Sequence, residues 1–188
     1  MAKNILICGV GGQGTVLAAK IIAQAAINQG QKVLSAETIG MAQRGGSVVS
    51  HVRIGDDAFS PLIPQGQADL LISFEAAEAV RNIPYLKKDA AVIVSNKILQ
   101  PTTASITGIT FSEEVMIAEL KKHSSNVSVI DTDRACSDLK STKIVNTLLL
   151  GAACRTGILD TKSVEEAIKS LVKPDFYDLN IKALHYQL

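Results

Sequence analysis

With 188 residues, 47% of them hydrophobic and 20% charged, the chain is long enough to bury one sizeable core and too apolar for a disordered segment. A formal net charge of +1 directs no field at nucleic acid or an acidic membrane, and 4% aromatics without tryptophan leaves little from which to build a base-stacking platform. Met1-Ala2-Lys3-Asn4 runs straight into an apolar stretch with no signal-peptide cleavage pattern, and no run reaches membrane-spanning length, so a cytoplasmic protein with no membrane or nucleic-acid partner is expected.

Residues 4–8 are a short apolar run ending in glycines and read as a first strand. Residues 15–29 are alanine-rich and apolar, a first helix with Thr15 as N-cap and Gly30 as stop. Residues 31–36 read as a second strand. Residues 47–54 alternate and are β-branched; Gly55-Asp56-Asp57 comes next, and with 58–63 this predicts a hairpin whose second arm, bearing Pro61 and Pro64, lies at an edge. Apolar runs at 69–74, 90–95 and 127–130 have strand length, while 75–82 and 113–122 fit helices. Residues 143–156, with Ser141 as cap and Gly157 as stop, are apolar on nearly every side, which places this helix in a core or at a subunit interface. Residues 161–172 are a conventional amphipathic helix, and the tail ends in a short helix over 179–186. Strand and helix alternate. The expected architecture is therefore a single α/β domain over 1–188, with three α/β/α layers, a mixed, mostly parallel sheet and a Rossmann-like first unit.

Gly9-Val10-Gly11-Gly12-Gln13-Gly14 between the first strand and helix has the spacing G-x-G-x-x-G. Glycines admit a ligand to the backbone, and the N–H groups at a helix start favour an anion. Glu37, at the end of the second strand, stands where a dinucleotide site places its ribose-binding acid. The competing reading is a tight turn that seats the helix on the sheet. The second strand leads not into a crossover helix but into a glycine-bearing loop, Thr38 to Gly46, and then the expected hairpin, which argues against a mononucleotide-binding βαβ unit. No Lys-Ser/Thr pair stands after the last glycine, so the turn is no P-loop.

Cys8, Cys136 and Cys154 are too far apart in sequence for a zinc site or a ferredoxin-type cluster and read as buried small hydrophobes, so no metal is assigned. Asp56 and Asp57 read as solvated turn residues. His51, His123 and His185 are scattered, with a structural or surface role as the default for His51.

Ile7-Cys8-Gly9-Val10-Gly11-Gly12-Gln13-Gly14-Thr15, together with the string from Ser35 through Glu37-Thr38-Ile39-Gly40-Met41-Ala42-Gln43-Arg44-Gly45-Gly46-Ser47 to Gly55, resembles the β subunit of indolepyruvate ferredoxin oxidoreductase, a counterpart of the γ subunits and domains of 2-oxoacid:ferredoxin oxidoreductases. Ser60-Pro61-Leu62-Ile63-Pro64, Ala68-Asp69-Leu70-Leu71, the stretch from Ala79 to Lys87 and Asn180-Ile181-Lys182-Ala183-Leu184 extend the likeness over essentially the whole chain. The resemblance implies a non-redox small subunit, inactive alone. Its larger partner would hold thiamine diphosphate and the iron–sulfur clusters and decarboxylate an aryl pyruvate oxidatively, using coenzyme A as co-substrate and reducing ferredoxin. This chain would bind no cofactor tightly. Candidate co-substrate contacts are Gly11, Gly12, Gln13, Gly14, Glu37, Gln43, Arg44, Gly45 and Gly46; no catalytic residue is assigned. The alternatives are a γ subunit acting on pyruvate, 2-oxoglutarate or a branched-chain 2-oxoacid, a nucleotide-binding oxidoreductase module, and a scaffold that only orders its partner.

Overall fold

The computed structural model describes residues 2–37, 45–100, 108 and 110–187. Six strands, β1 (Lys3–Val10), β2 (Val33–Glu37), β3 (Ser47–Ile54), β4 (Ala68–Ser73), β5 (Leu86–Ser95) and β6 (Val127–Ile130), form one sheet in the spatial order β2-β3-β1-β4-β5-β6. The pairs β1–β4, β4–β5 and β5–β6 are parallel, while β3 runs antiparallel to both of its neighbours. The sheet is thus mixed and mostly parallel. Seven α-helices lie among the described residues: α1 (Thr15–Asn28), α2 (Ala76–Arg81), α3 (Glu113–His123), α4 (Thr132–Asp138), α5 (Val145–Cys154), α6 (Thr161–Leu171) and α7 (Pro174–Leu184).

Side chains on successive strand residues point to opposite faces, and this alternation makes two cores. Ile5, Ile7, Leu70, Ile72 and Ile93 pack under α1, α5 and α6; Leu6, Cys8, Leu71, Val92 and Val94 pack under α2 and α3. The central strands are apolar on both faces because both are covered. Polar side chains cap the helices that abut the sheet ends: Glu75 accepts the Glu78 N–H at α2, Asp131 that of Arg134 at α4, and Asp160 that of Ser163 at α6.

Several local expectations change. Gly14, not Thr15, caps α1. Ser141 accepts the Lys143 N–H in the preceding turn, and α5 begins later, with Ile144 at its cap. The last helix starts at Pro174, a residue preorganised for a first helical turn, well before 179. Helix α4 is an addition, since it has no apolar periodicity to announce it in the sequence. The hairpin does not form. β3 gives one edge to β1 and the other to β2, so neither is left for a second arm. Segment 58–63 instead crosses the α2–α3 face as irregular chain, burying Ala58 and Ile63. Arg53 donates to the Ser60 carbonyl at 2.9 Å, and the Ile63 N–H donates to His51 Nδ1 at 3.2 Å.

The all-round apolar helix α5 proves to be core: every residue from Asn146 to Cys154 is buried. It crosses α7 so closely that a methyl placed on Gly151 would lie 2.0 Å from the Leu184 carbonyl oxygen. Gly151→Ala sets two effects against each other. Helix propensity favours alanine by about 1 kcal/mol, whereas overpacking against a backbone atom costs about 1–3 kcal/mol. With backbone at 2.0 Å the clash dominates. Chemical denaturation should show a net loss of stability; an unchanged or raised midpoint would contradict this packing.

His51 lies edge-on to Tyr85, with ring centroids 5.6 Å apart, and burial lowers its pKa. Because Nδ1 accepts a hydrogen bond, the neutral ring is the one the fold uses. A folded-state pKa below the unfolded value means that its stabilising contribution is complete above the unfolded pKa of about 6.5 and is lost as pH falls below it. The hydrogen-exchange protection factor of the Ile63 amide should therefore decrease between about pH 7.5 and about pH 5.5, and this dependence should vanish in His51→Phe. A protection factor flat across that range in the parent chain would refute the coupling.

Candidate functional site

The chain leaves β1 through α1 on one face and leaves β4 through α2 on the other. Neighbouring parallel strands whose connections depart to opposite faces leave a crevice outside their carboxyl ends, the position where open α/β sheets bind ligands. Here its walls are the glycine turn after β1 and Phe74–Glu75 after β4.

Beyond the β1–β3 ladder, the Gly11 N–H donates to the Gly46 carbonyl at 2.8 Å and the Gly45 N–H donates to the Gly11 carbonyl at 3.2 Å, so the loop glycines and the turn glycines form one backbone surface. Gly12 and Gly14 have φ of +102° and +92°, which a side chain would strain. Gly12 is exposed, with no atom within 4 Å of where a Cβ would sit. No side chain caps α1. Its first-turn N–H groups, which have no intrahelical partners, and the positive end of its dipole therefore lie at the crevice. Gln13 points the other way: Oε1 accepts the Val10 N–H at 2.7 Å, and Nε2 donates to the Phe74 carbonyl at 3.4 Å.

Beside the turn lies a depression of about 450 Å³ bordered by Val10, Gly45, Ser47, Glu78, Arg81 and Leu99. Its floor holds two buried carboxylates. Glu75 is 1% exposed; Oε2 accepts the Glu78 N–H at 2.7 Å and Oε1 the Leu99 N–H at 3.0 Å, and burial raises its pKa against these hydrogen bonds. Glu78 accepts from Ser47 Oγ and, at 3.2 Å, from Arg81 Nε. Beneath them the Cys8 thiol donates to Ser73 Oγ at 3.2 Å, and burial pushes its pKa up to about 12. Cys154 is pushed up to about 11 for the same reason. Neither offers a thiolate at neutral pH, so neither is a nucleophile. Cys8, Cys136 and Cys154 sit on β1, α4 and α5, and among the described residues no cluster of three or more His, Cys, Asp or Glu side chains can hold a metal.

Of the candidate contacts, the fold gathers Gly11, Gly12, Gln13, Gly14, Gly45 and Gly46 at one point. Gln43 and Arg44 lie outside the described residues. Glu37 stands apart. It pairs with Ser50, which pairs with Ile7, so β3 separates it from β1 by two strand spacings, about 10 Å, and it lies level with Ile7 rather than with the turn. A mononucleotide-binding unit has its second strand directly beside the first; the insertion of β3 moves the acid away and leaves the dinucleotide alternative without its ribose contact. Sequence reasoning missed the Ser47–Glu78–Arg81 set, because Ser47 and Glu78 are 31 residues apart and meet only through the sheet. The capping role of Glu75 had a local signal, its place just before an apolar helical run.

Residues 4–186 match the family Pyruvate ferredoxin/flavodoxin oxidoreductase. The indolepyruvate oxidoreductase subunit IorB of Archaeoglobus fulgidus is 40% identical, over 98% of this chain and 92% of its own length. A crystal structure of a keto/oxoacid ferredoxin oxidoreductase γ subunit from Geobacter sulfurreducens aligns with a TM-score of 0.70 at 25% identity, covering 97% of this chain and 94% of that one. The 2-oxoglutarate:ferredoxin oxidoreductase of Magnetococcus marinus, solved with 2-oxoglutarate, coenzyme A and succinyl-CoA bound, aligns with 97% of this chain and 30% of its own at a TM-score of 0.71; at 18% identity this likeness is one of fold alone. The crevice geometry and the match along nearly the whole sequence meet in one assignment: the chain belongs to the pyruvate ferredoxin/flavodoxin oxidoreductase family.

Proposed function

We propose that this chain, acting as one γ-type domain over 1–188, is the small non-redox subunit of a cytoplasmic 2-oxoacid:ferredoxin oxidoreductase of the indolepyruvate type. The enzyme decarboxylates an aryl pyruvate oxidatively, transfers the acyl group to coenzyme A and passes the electrons to ferredoxin. The observation that carries this reading is the 40% identity to an IorB subunit over nearly all of both chains. The chemistry of the chain supports a division of labour. Its three cysteines lie on separate elements, two of them buried and protonated, and do not fit an iron–sulfur cluster. Thiamine diphosphate and the clusters belong to the larger partner subunit in this proposal.

The contribution of this chain is electrostatic. Gly12, Gly14 and the N-terminus of α1 lie at the crevice, and their backbone N–H groups suit the phosphates of coenzyme A, held between the two subunits. Gln43 and Arg44, next in sequence to Gly45 and Gly46, are proposed as further contacts to that anion, because a guanidinium matches phosphate in bidentate fashion.

Anaerobically purified alone, the chain should be colourless, free of stoichiometric iron and inactive in 2-oxoacid-dependent viologen reduction. Co-expressed with its large subunit, it should give coenzyme A-dependent turnover, with indolepyruvate preferred to pyruvate. Iron or turnover in the isolated chain, or a preference for pyruvate in the complex, would contradict the proposal. At the turn, Gly12→Ala meets open space, so only its positive φ is costly, by about 1–2 kcal/mol. The assembled variant should show a raised KM for coenzyme A; an unchanged KM would reduce the turn to architecture.

A further inference from the structure

The β1–β4 ladder ends in an unusual way. Its last regular register pair is Cys8 with Ser73, and the Phe74 N–H then donates to the Cys8 carbonyl at 2.9 Å. In a parallel ladder a residue that donates to one side of its partner accepts from the other, so the next bond would run from the Val10 N–H to the Phe74 carbonyl. The carboxamide of Gln13 occupies that place. Its Oε1 accepts from Val10 and its Nε2 donates to Phe74. A carboxamide carries the acceptor and donor of a peptide group, so both backbone groups stay satisfied with the inserted amide in place of a direct bond between the strands. Room for it comes from Gly9, where a Cβ would lie 2.7 Å from Gln13 Oε1 and 2.9 Å from Phe74 Cβ.

We propose that Gln13 is a positioning residue: its side chain, spliced into the β1–β4 ladder, sets the width of the crevice and fixes the orientation of the Gly12 and Gly14 amides toward the anionic co-substrate, without touching that co-substrate itself. The part concerning coenzyme A rests on the function proposed above. The chemistry is specific to glutamine. Glutamate of equal length keeps the acceptor for Val10 but turns a carboxylate oxygen on the Phe74 carbonyl. Methionine keeps the length and loses both bonds. Asparagine does not reach.

The test uses the full chain as Gln13→Glu and Gln13→Met, with Gly9→Ala as an independent way of evicting the amide. In the isolated chain, hydrogen exchange at the Val10 amide should quicken about tenfold in Gln13→Met, the effect of losing one hydrogen bond. The amide NMR shifts of Gly12 and Gly14 should move in all three variants. In Gln13→Glu the shift changes at the turn should reverse as pH falls, because the neutral acid regains a donor for Phe74. In the complex with the large subunit, the KM for coenzyme A should rise about tenfold, while kcat and the KM for the 2-oxoacid stay within about twofold. Unchanged Val10 exchange and turn shifts would overturn the splice. Altered turn shifts with an unchanged KM for coenzyme A would overturn the positioning role. A wild-type complex without coenzyme A-dependent turnover would instead refute the function proposed above and the coenzyme A part with it, leaving the splice to be judged on the exchange data alone.

Discussion

Every backbone N–H and C=O of a strand buried on both faces must find a partner, and in this protein that demand falls hardest on β1. Among the described strands it is the one flanked by an antiparallel partner on one side and a parallel partner on the other. The antiparallel ladder continues beyond Val10, through Gly11 to Gly45 and Gly46. The parallel ladder stops at Cys8 and Ser73, where the chain must turn away to opposite faces. The point where one ladder ends and the other persists is the crevice, and Gln13 supplies the missing backbone partners there.

The insertion of β3 belongs to the same arrangement and governs what the crevice can bind. An ordinary mononucleotide-binding unit uses the neighbour of its first strand to present an acid to a ribose. Here that neighbour is a strand of opposite direction, and Glu37 is one strand further out. The anion-favouring half of a nucleotide site survives, in the uncapped start of α1 and the glycines before it, while the sugar-binding half is displaced.

The interior around the crevice is chemically quiet. Glu75 commits both carboxylate oxygens to backbone N–H groups, Glu78 is engaged by Ser47 and Arg81, and Cys8 is a protonated donor to Ser73. These buried polar groups fix the ends of β1, β3, β4 and α2 relative to one another. Satisfied polar networks of this kind specify geometry more than they supply reactivity.

The amino-acid sequence by itself determined the layer architecture, the strand–helix alternation, the glycine turn and its place between β1 and α1, because each is written in local periodicity and in residue types with local conformational preferences. It also carried, in the long string from Glu37 to Ser47, the resemblance that the family match bears out. Only the tertiary structure decided which edges the strands would use. Residues 58–63 read as the second arm of a hairpin from their place after the Gly55-Asp56-Asp57 turn, and became irregular cover because β1 and β2 had already taken both edges of β3. Helix α5 was equally compatible with a core or an interface until α7 closed on Gly151. The role of Gln13 was beyond any local reading. It depends on Phe74, 61 residues away, reaching the end of β1 with its carbonyl in reach of the Gln13 amide, and long-range backbone pairing leaves no mark on neighbouring residues.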